Sequence, residues 1–242
     1  MLKKCYYLLS TLCLFGCSLS TGMQDLDTSA MPVMPSKKQL IHASIIPITY
    51  DLLKKQPISQ YEYRLAPGDS LSIEIWQHPE FNARNGSRNT DYLVNNHGEI
   101  VFPLLGPLTV SGKNTEQIRI QLTHQLKTYI PEPHVLVRIS HYRGKKVYVY
   151  GEVLKPGSLT LDDQPLTIAD ALIASGGINQ NTSDPRFIYV LRGTYAAPDI
   201  FWLNAERPNQ LWLAQHFKLE KDDILYVSGS KWVNFKRRLS HF

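Results

Sequence analysis

The residues able to perform covalent or metal chemistry are unevenly distributed along the 242-residue chain. All three cysteines, Cys5, Cys13 and Cys17, lie within the first 17 residues, so the remainder is predicted to hold no disulfide, CxxC redox pair or thiolate zinc site. The eight histidines show no HxxxH or HExxH spacing, and no nucleophile elbow or phosphate-binding glycine loop occurs. No spacing singles out a pair of carboxylates for glycoside cleavage. We therefore predict no catalytic residue, no metal and no cofactor.

The N-terminal segment has the pattern of a bacterial export signal. Two lysines precede a largely apolar run over residues 6–15, which is too short to cross a hydrocarbon core of about 30 Å. The run leads into Leu14-Phe15-Gly16-Cys17, which resembles the lipobox of bacterial lipoproteins. The resemblance implies cleavage before Cys17 and acylation, palmitate included, of its thiol and new amine. Ser18 in place of Asp implies outer-membrane delivery, with the bulk of the chain in the periplasm.

The charge and composition favour a globular protein that does not bind nucleic acid. Apolar residues make up 43% of the chain and charged residues 19%. The formal charge is +5, but two lysines lie in the signal segment, and without them 24 basic residues face 21 acidic ones. So small an excess does not form the extended basic surface that nucleic-acid binding requires.

Hydrophobic periodicity predicts a first module that begins at residue 61. Residues 18–57 are polar and contain prolines, and we interpret them as a tether with one short helix at Thr49–Lys55. The alternating Leu71, Ile73 and Ile75 predict a half-buried strand. Further strands are predicted at 92–94 and 100–102, around a hairpin-type turn at 95–98, and then at 108–110 and 135–139.

A helix is predicted between the last two of these strands. Asn114 and Gln117 have the spacing of a capping box, and Pro131 is expected to stop the helix. Its inner face is predicted to comprise Ile118, Leu122, Leu126 and Tyr129.

A second module is predicted from Lys145. Strands are expected at 147–150, 158–161, 187–191, 200–203 and 224–227. A short helix is expected to begin after Thr167, with Ile168, Ala171 and Leu172 inside, and to end in a left-handed cap at Gly176-Gly177. Gly157 is expected to take a positive φ in the turn Lys155-Pro156-Gly157. A strand pair, a helix and then more strands are the order of a β-grasp-like module.

The C-terminal residues form a basic amphipathic pattern. The charges are Lys231, Lys236, Arg237 and Arg238. Apolar residues recur at spacings of three, four and three, namely Trp232, Phe235, Leu239 and Phe242. A helix over Ser230–Phe242 would be roughly 20 Å long, shorter than a hydrocarbon core. We interpret the four apolar residues as membrane-interface contacts, with a solvated helix end as the alternative.

The ordered motifs resemble those of Wza-like polysaccharide export outer-membrane lipoproteins. The segment Tyr63–Ile73, which contains Pro67-Gly68-Asp69, resembles the opening of the polysaccharide export domain, and Gly98, Gly106 and the segment Tyr129–Val135 continue it. The segment 147–177 then resembles a soluble-ligand-binding β-grasp (SLBB) domain. The fold-motif residues that carry the resemblance are Pro67, Gly68, Asp69, Gly98, Gly106, Gly151, Gly157, Gly176 and Gly177. We expect Asp69 to cap its own turn by an Asx-type bond, with a contact between subunits as the alternative.

The resemblance implies an α+β, mostly β fold and a transport function. In that family the chains form a homo-oligomeric ring around a periplasmic lumen, and a C-terminal amphipathic helix from each chain completes the passage through the outer membrane. The implied partners are the capsular or extracellular polysaccharide and an inner-membrane copolymerase that often carries a tyrosine kinase. The implied role is a passive part of the conduit.

Two departures from the Wza-like pattern keep other interpretations open. We find one SLBB unit where that type has two, and the C-terminal helix is short, so we expect a shortened member of the family. One alternative is a periplasmic scaffold or glycan-binding lipoprotein that docks an export partner without forming a pore. Another is an inactive remnant.

The chain is therefore divided into five predicted parts. They are a lipoprotein signal peptide (1–16), a lipidated N-terminus and linker (17–60), the export domain (61–142, the first module), the SLBB β-grasp domain (145–228, the second module) and a short basic amphipathic tail (229–242).

Overall fold

Strands dominate the part of the chain whose structure is described. The computed structural model describes residues 45–55, 61–78, 91–194 and 197–230, which all belong to one compact unit, residues 39–242. In chain order the elements are β1 (Ile45–Pro47), α1 (Tyr50–Lys55), β2 (Ser70–Ile75), β3 (Asp91–Leu93), β4 (Glu99–Phe102), β5 (Gly106–Thr109), α2 (Thr115–Leu126), β6 (Val135–His141), β7 (Lys146–Gly151), β8 (Gly157–Thr160), α3 (Ile168–Ala174), β9 (Ser183–Thr194), β10 (Ala197–Leu203), α4 (Pro208–His216) and β11 (Ile224–Gly229). The predicted α+β, mostly β fold class is confirmed.

The first module is built on the predicted alternating strand. Leu71, Ile73 and Ile75 of β2 are almost completely buried, because every second side chain of a strand points to the same face. β2 lies between β3 and β6 and is antiparallel to both. α2 packs against β6. The core of this module therefore combines buried side chains of the three-stranded sheet, of α2 and of the β4–β5 pair.

The predicted hairpin around residues 95–98 is wrong, although both of its strands exist. β3 pairs with β2, whereas β4 pairs with β5 as a separate two-stranded sheet. The Asn95 side chain accepts hydrogen bonds from the N–H groups of His97 and Glu99, and Gly98 has a φ of +78°. This turn passes the chain from one sheet to the next instead of reversing it onto its own partner.

The predicted capping box of α2 is confirmed. The Asn114 side chain accepts from the Gln117 N–H at 2.7 Å, and the Gln117 side chain accepts from the Asn114 N–H at 3.2 Å. Ile118, Leu122 and Leu126 are fully buried, but Tyr129 is 55% exposed. The placement of Tyr129 on the inner face is wrong because the helix ends at Leu126, five residues before Pro131.

A six-stranded mixed sheet forms the second module, in the order β1-β10-β9-β11-β7-β8. The capping box at Thr167 and Asp170 is present, and Ile168, Ala171 and Leu172 are buried as predicted. Residues of α3 and α4 share one hydrophobic cluster with the sheet. α4 was not predicted, because Ala214 is its one buried residue and the apolar periodicity is correspondingly weak.

The tether prediction is wrong for residues 45–48. β1 pairs parallel with β10, with Ile45 opposite Ile200, and Ile48 is buried in the second module's core. α1 agrees with the predicted short helix to within one residue. Residues 45–55 therefore belong to the second module in space, although the first module separates them from it in sequence.

The motif glycines differ in what their backbone requires. Six of them have a positive φ, namely Gly68, Gly98, Gly106, Gly151, Gly176 and Gly177. The left-handed cap predicted at Gly176-Gly177 is therefore confirmed. Gly157 does not, so its predicted left-handed turn is wrong: it is the first residue of the extended β8. Gly151 is the most constrained, because a Cβ there would overlap the carbonyl oxygen of Val227 on the neighbouring strand β11.

Asp69 joins the opening of the first module to the segment that connects the two modules. Its side chain is fully buried and accepts four hydrogen bonds. One oxygen accepts from the Tyr63 hydroxyl at 2.9 Å and the Ala66 N–H at 2.8 Å. The other accepts from the N–H groups of Arg143 and Gly144, at 2.9 and 2.7 Å. The expected Asx-type bond is replaced by this wider set of donors, three of them backbone groups.

The surroundings of Tyr63 belong to the second module. Tyr63 packs in that module's hydrophobic cluster, whereas Leu65, two residues later, packs in the first module's cluster. The rings of Tyr142 and Tyr63 are edge-to-face, with their centroids 4.9 Å apart. The Lys145 ammonium lies 4.6 Å from the centroid of the Tyr63 ring. Burial, with the hydrogen bond to Asp69, raises the pKa of Tyr63, and burial lowers the pKa of Lys145. Tyr63 therefore remains a neutral donor to the buried carboxylate.

Replacing Asp69 by Asn should destabilise the whole unit. The amide turns one acceptor into a donor that faces other donors, so we expect Asp69→Asn to lower the free energy of unfolding by about 2–4 kcal/mol. Tyr63→Phe removes one of the four donors and should cost about 1–2 kcal/mol. Urea unfolding measures both, and Asp163→Asn, at an exposed position, is the control. Equal stability of Asp69→Asn and Asp163→Asn would contradict the role assigned to the carboxylate.

The same substitution at two glycines should have opposite consequences. Gly151→Ala must displace β11, so we expect a loss of at least about 3 kcal/mol or a failure to accumulate folded protein. Gly157→Ala meets nothing within 4 Å and has no positive φ, so its free energy of unfolding should change by less than about 1 kcal/mol. Thermal unfolding of the two variants checks the contrast. Similar midpoints would mean that the close approach of Val227 does not constrain the strand pair.

Candidate functional site

The predicted site residues fall into two groups, of which the structure describes one. Cys17 and the tail residues Trp232, Phe235, Leu239 and Phe242 lie outside the described residues, so lipidation and membrane contact stay predictions. Asp69 and the motif glycines are distributed over turns, strand ends and one helix end of both modules. They support the fold and do not converge on a pocket.

Neither a metal centre nor a membrane-spanning helix is found in the part of the chain that the structure describes. No group of three or more His, Cys, Asp or Glu side chains there has a metal-binding arrangement. Within the same residues, no helix is both long enough and apolar enough to cross a bilayer. Two surfaces formed by the described residues have a distinct chemistry.

The first surface is the outer face of the six-stranded sheet, which we call the tyrosine face. Two rows of side chains run across it at right angles to the strands. One row is aliphatic, with Ile45, Ile200, Leu191 and Ile224 on four successive strands. The other is aromatic, with Tyr189, Tyr226 and Tyr150 on three. These seven residues line one shallow depression of about 630 Å³.

The two faces of the six-stranded sheet differ in burial, and the tyrosine face is the more exposed one. Side chains of the opposite face are fully buried against the helices: Val147, Val149, Ile188, Val190, Leu225 and Val227. On the tyrosine face, Tyr150 is 50% exposed, Tyr226 40% and Ile45 61%. Since contiguous apolar patches are uncommon on monomeric proteins, this face has the chemistry of a contact surface.

The second surface is a groove beside Trp76, which we call the tryptophan groove. It is an open groove of about 620 Å³ between α2 and β6, an edge strand of the three-stranded sheet. Trp76 follows β2, and its N–H donates to the His134 carbonyl oxygen at 3.0 Å. Its side chain is 68% exposed, which is unusual for tryptophan.

The charges of the tryptophan groove are mainly positive. Arg119 and Lys127 line it from the side of α2, and Arg138 lines it from β6. Among the described residues of the lining, Glu132 is the one that is acidic. Glu116, outside the groove, forms two hydrogen bonds with Arg119, at 2.7 and 2.6 Å. This pairing raises the pKa of Arg119 and lowers that of Glu116.

Sequence reasoning missed both surfaces. For the tyrosine face a signal was present: in the segment Val147–Tyr150 the positions on both sides of the strand are apolar or aromatic. Such a strand is apolar on its outer face as well as its inner face. A search for alternation alone does not separate this kind of strand from a half-buried one. For the tryptophan groove there was no local signal, because its cations come from a helix and a strand that meet only in the folded chain.

Comparison with curated proteins finds relatives whose names refer to the export, production or transport of polysaccharides. EPS I polysaccharide export outer membrane protein EpsA of Ralstonia solanacearum is 37% identical over 147 residues, which cover 54% of this chain and 39% of that protein. Exopolysaccharide production protein ExoF of Rhizobium meliloti is 30% identical over 132 residues, covering 52% and 31%. Polysialic acid transport protein KpsD of Escherichia coli is 29% identical over 136 residues, covering 54% and 22%. The alignments thus cover less than two fifths of these relatives' length.

Comparison with family models assigns both modules. Residues 57–140 match the model described as polysaccharide biosynthesis/export protein. Residues 145–227 match the model described as SLBB domain. The resemblance found in the sequence motifs is confirmed: the chain contains a polysaccharide biosynthesis/export domain followed by an SLBB domain.

Proposed function

We propose that the chain is an outer-membrane lipoprotein that forms part of a passive oligomeric conduit for capsular or extracellular polysaccharide. The observation that carries the proposal is the succession of an export domain and an SLBB domain in one chain. The names of the relatives, which include outer-membrane export proteins, support the same location and cargo.

The proposed mechanism needs no catalytic residue. A polysaccharide is a hydrated polymer, and its transfer through hydrocarbon would require loss of many hydrogen bonds to water. A water-filled lumen lowers this barrier because the polymer keeps its hydration. Energy is supplied by partners, for which an inner-membrane copolymerase or tyrosine kinase is the proposed class. The chain contributes a wall and an attachment to the outer membrane.

Lipidation at Cys17 would provide that attachment. Each buried methylene of an acyl chain contributes about 0.8 kcal/mol, and more than one chain is needed for stable anchoring. Residues 18–44 would then connect the anchor to β1.

The tyrosine face is the proposed contact between copies of the chain. Neighbouring strands are about 4.8 Å apart, so the aliphatic row alone extends over roughly 14 Å. Exposed tyrosine and aliphatic side chains with few charges are characteristic of the centre of a protein interface. A scaffold that docks an export partner could use the same face, and the oligomeric state distinguishes the two functions.

The lipid anchor and the export function can be tested in one strain. In cells that lack the chain, we expect the wild type to restore polysaccharide at the cell surface. Cys17→Ser should leave an uncleaved or released protein and reduce surface polysaccharide at least about tenfold, because the acyl anchor is lost. Cys13→Ser, in the apolar signal run, is the control and should behave as wild type. Membrane fractionation and surface-polysaccharide staining are the measurements, and full export by a strain without the chain would refute the proposal.

The subunit contact can be tested by adding a charge to the tyrosine face. Tyr226→Lys should convert detergent-purified rings to monomers, because a buried unpaired charge at an interface costs several kcal/mol. Val101→Lys, at a 69% exposed position of β4, is the matched control. Light scattering with negative-stain imaging gives the oligomeric state, and unfolding midpoints establish that both variants fold. Intact rings of Tyr226→Lys would place the contact elsewhere, and a monomeric wild type would favour the scaffold.

A further inference from the structure

We propose that the tryptophan groove binds an acidic sugar unit of the transported polysaccharide. The inference rests on the proposed export function and adds the substrate class, a polymer that carries carboxylates. Four residues would form the contacts: Trp76, Lys127, Arg138 and, in part, Arg119.

Trp76 would provide the stacking surface. Its backbone is held by the hydrogen bond to His134 and by the adjacent pairing of Ile75 with Val135, so the ring projects from the end of a fixed strand. Burying an aromatic face against the C–H groups of a pyranose ring removes apolar surface from water without removing the sugar hydroxyls from it. An exposed tryptophan on a rigid support is well suited to this contact.

Lys127 and Arg138 would provide the charge recognition. Neither forms an ion pair with any residue in the described part of the chain, whereas Arg119 shares its charge with Glu116. The two cations come from different elements of the lining, the C-terminal end of α2 and strand β6. A carboxylate between them would gain charge-assisted hydrogen bonds, which are roughly twice as strong as neutral ones.

Glu132 determines how strongly the groove attracts anions. It lies in the lining with a φ of +49°, a left-handed conformation that is uncommon for a residue other than glycine. Its carboxylate opposes an acidic ligand and leaves the attraction modest. A weak site suits transport, because a polymer that must move on cannot be held tightly at each step.

The concave shape favours a glycan over a membrane surface. Tryptophan with lysine and arginine is also the composition of a lipid-interface anchor. The volume of about 620 Å³ is within the range of ligand sites, roughly 300–1,000 Å³, and polar side chains line both walls. A membrane contact would instead require these residues to protrude together.

Binding can be measured with the full mature chain in mild detergent. The probe is oligogalacturonate, and the matched neutral probe is the same oligomer with its carboxylates methyl-esterified. We expect the acidic probe to quench part of the chain's tryptophan fluorescence, to which Trp76 is one of four contributors, and to bind at least about tenfold more tightly than the ester. Raising the salt from about 50 to 500 mM should remove most of this difference.

Variants assign the binding to the groove. Trp76→Ala should weaken acidic-probe binding about tenfold, and Trp76→Tyr should retain most of it. Because Trp76→Ala removes one of the four tryptophans and so changes the fluorescence itself, calorimetry measures binding for these variants. The double variant Lys127→Gln/Arg138→Gln should lose the preference for the acidic probe, and Lys155→Gln, an exposed lysine of the second module, should bind as wild type. Glu132→Gln should bind the acidic probe severalfold more tightly, a gain that misfolding cannot produce.

Three results would overturn the inference. They are equal binding of the acidic and esterified probes, unchanged binding in the groove variants, and binding to vesicles with about 30% phosphatidylglycerol in place of the sugar probe. None depends on export, so the two proposals can fail separately. If export requires the chain but the groove variants neither bind less nor export less, the groove inference alone is wrong. If a strain without the chain exports normally, the proposed function is wrong whatever the probe does.

Discussion

The buried carboxylate of Asp69 organises the connection between the two modules. It accepts hydrogen bonds from residues three and six positions before it and from backbone groups 74 and 75 residues further along the chain. Burying a carboxylate without donors would be costly, so each of the four donors must be in place when the chain folds. The Asp69 carboxylate thereby joins three parts of the chain: the opening of the export domain, the link to the SLBB domain, and Tyr63 of the second module's core. This explains why Pro67-Gly68-Asp69 behaves as a structural motif and not as part of a binding site.

With this connection in place, the two modules leave different surfaces available. The second module covers one face of its sheet with helices and leaves the tyrosine face free. The first module has one helix beside an edge strand, and the tryptophan groove lies where they meet. The proposed subunit contact is therefore apolar and the proposed sugar contact is aromatic and cationic. The subunit contact and the sugar contact would therefore not compete for the same surface. A conduit requires this, because its wall contacts both neighbouring subunits and the cargo.

Several local features could be predicted because their causes lie within a few residues. The capping boxes at Asn114 and Thr167 depend on partners three residues away, and the burial of Leu71, Ile73 and Ile75 follows from strand alternation. Other predictions failed where a distant partner decided the outcome. Residues 45–47 form a strand because the edge of β10 is available to pair with them. The strands on either side of residues 95–98 separate because each has another partner. Gly157 needed no positive φ because it is already the first residue of the extended strand β8.

The amino-acid sequence by itself determined the two domain types, the fold class and most element types, since these depend on ordered motifs and short-range periodicity. It also defines the chemistry proposed for Cys17, which depends on adjacent residues. Only the tertiary structure decided the partners of Asp69, the place of β1, the exposure of the tyrosine face and the gathering of Trp76, Lys127 and Arg138 around one groove. These arrangements join residues far apart in the chain, and their energies come from packing and hydrogen bonds that exist only when both modules are folded.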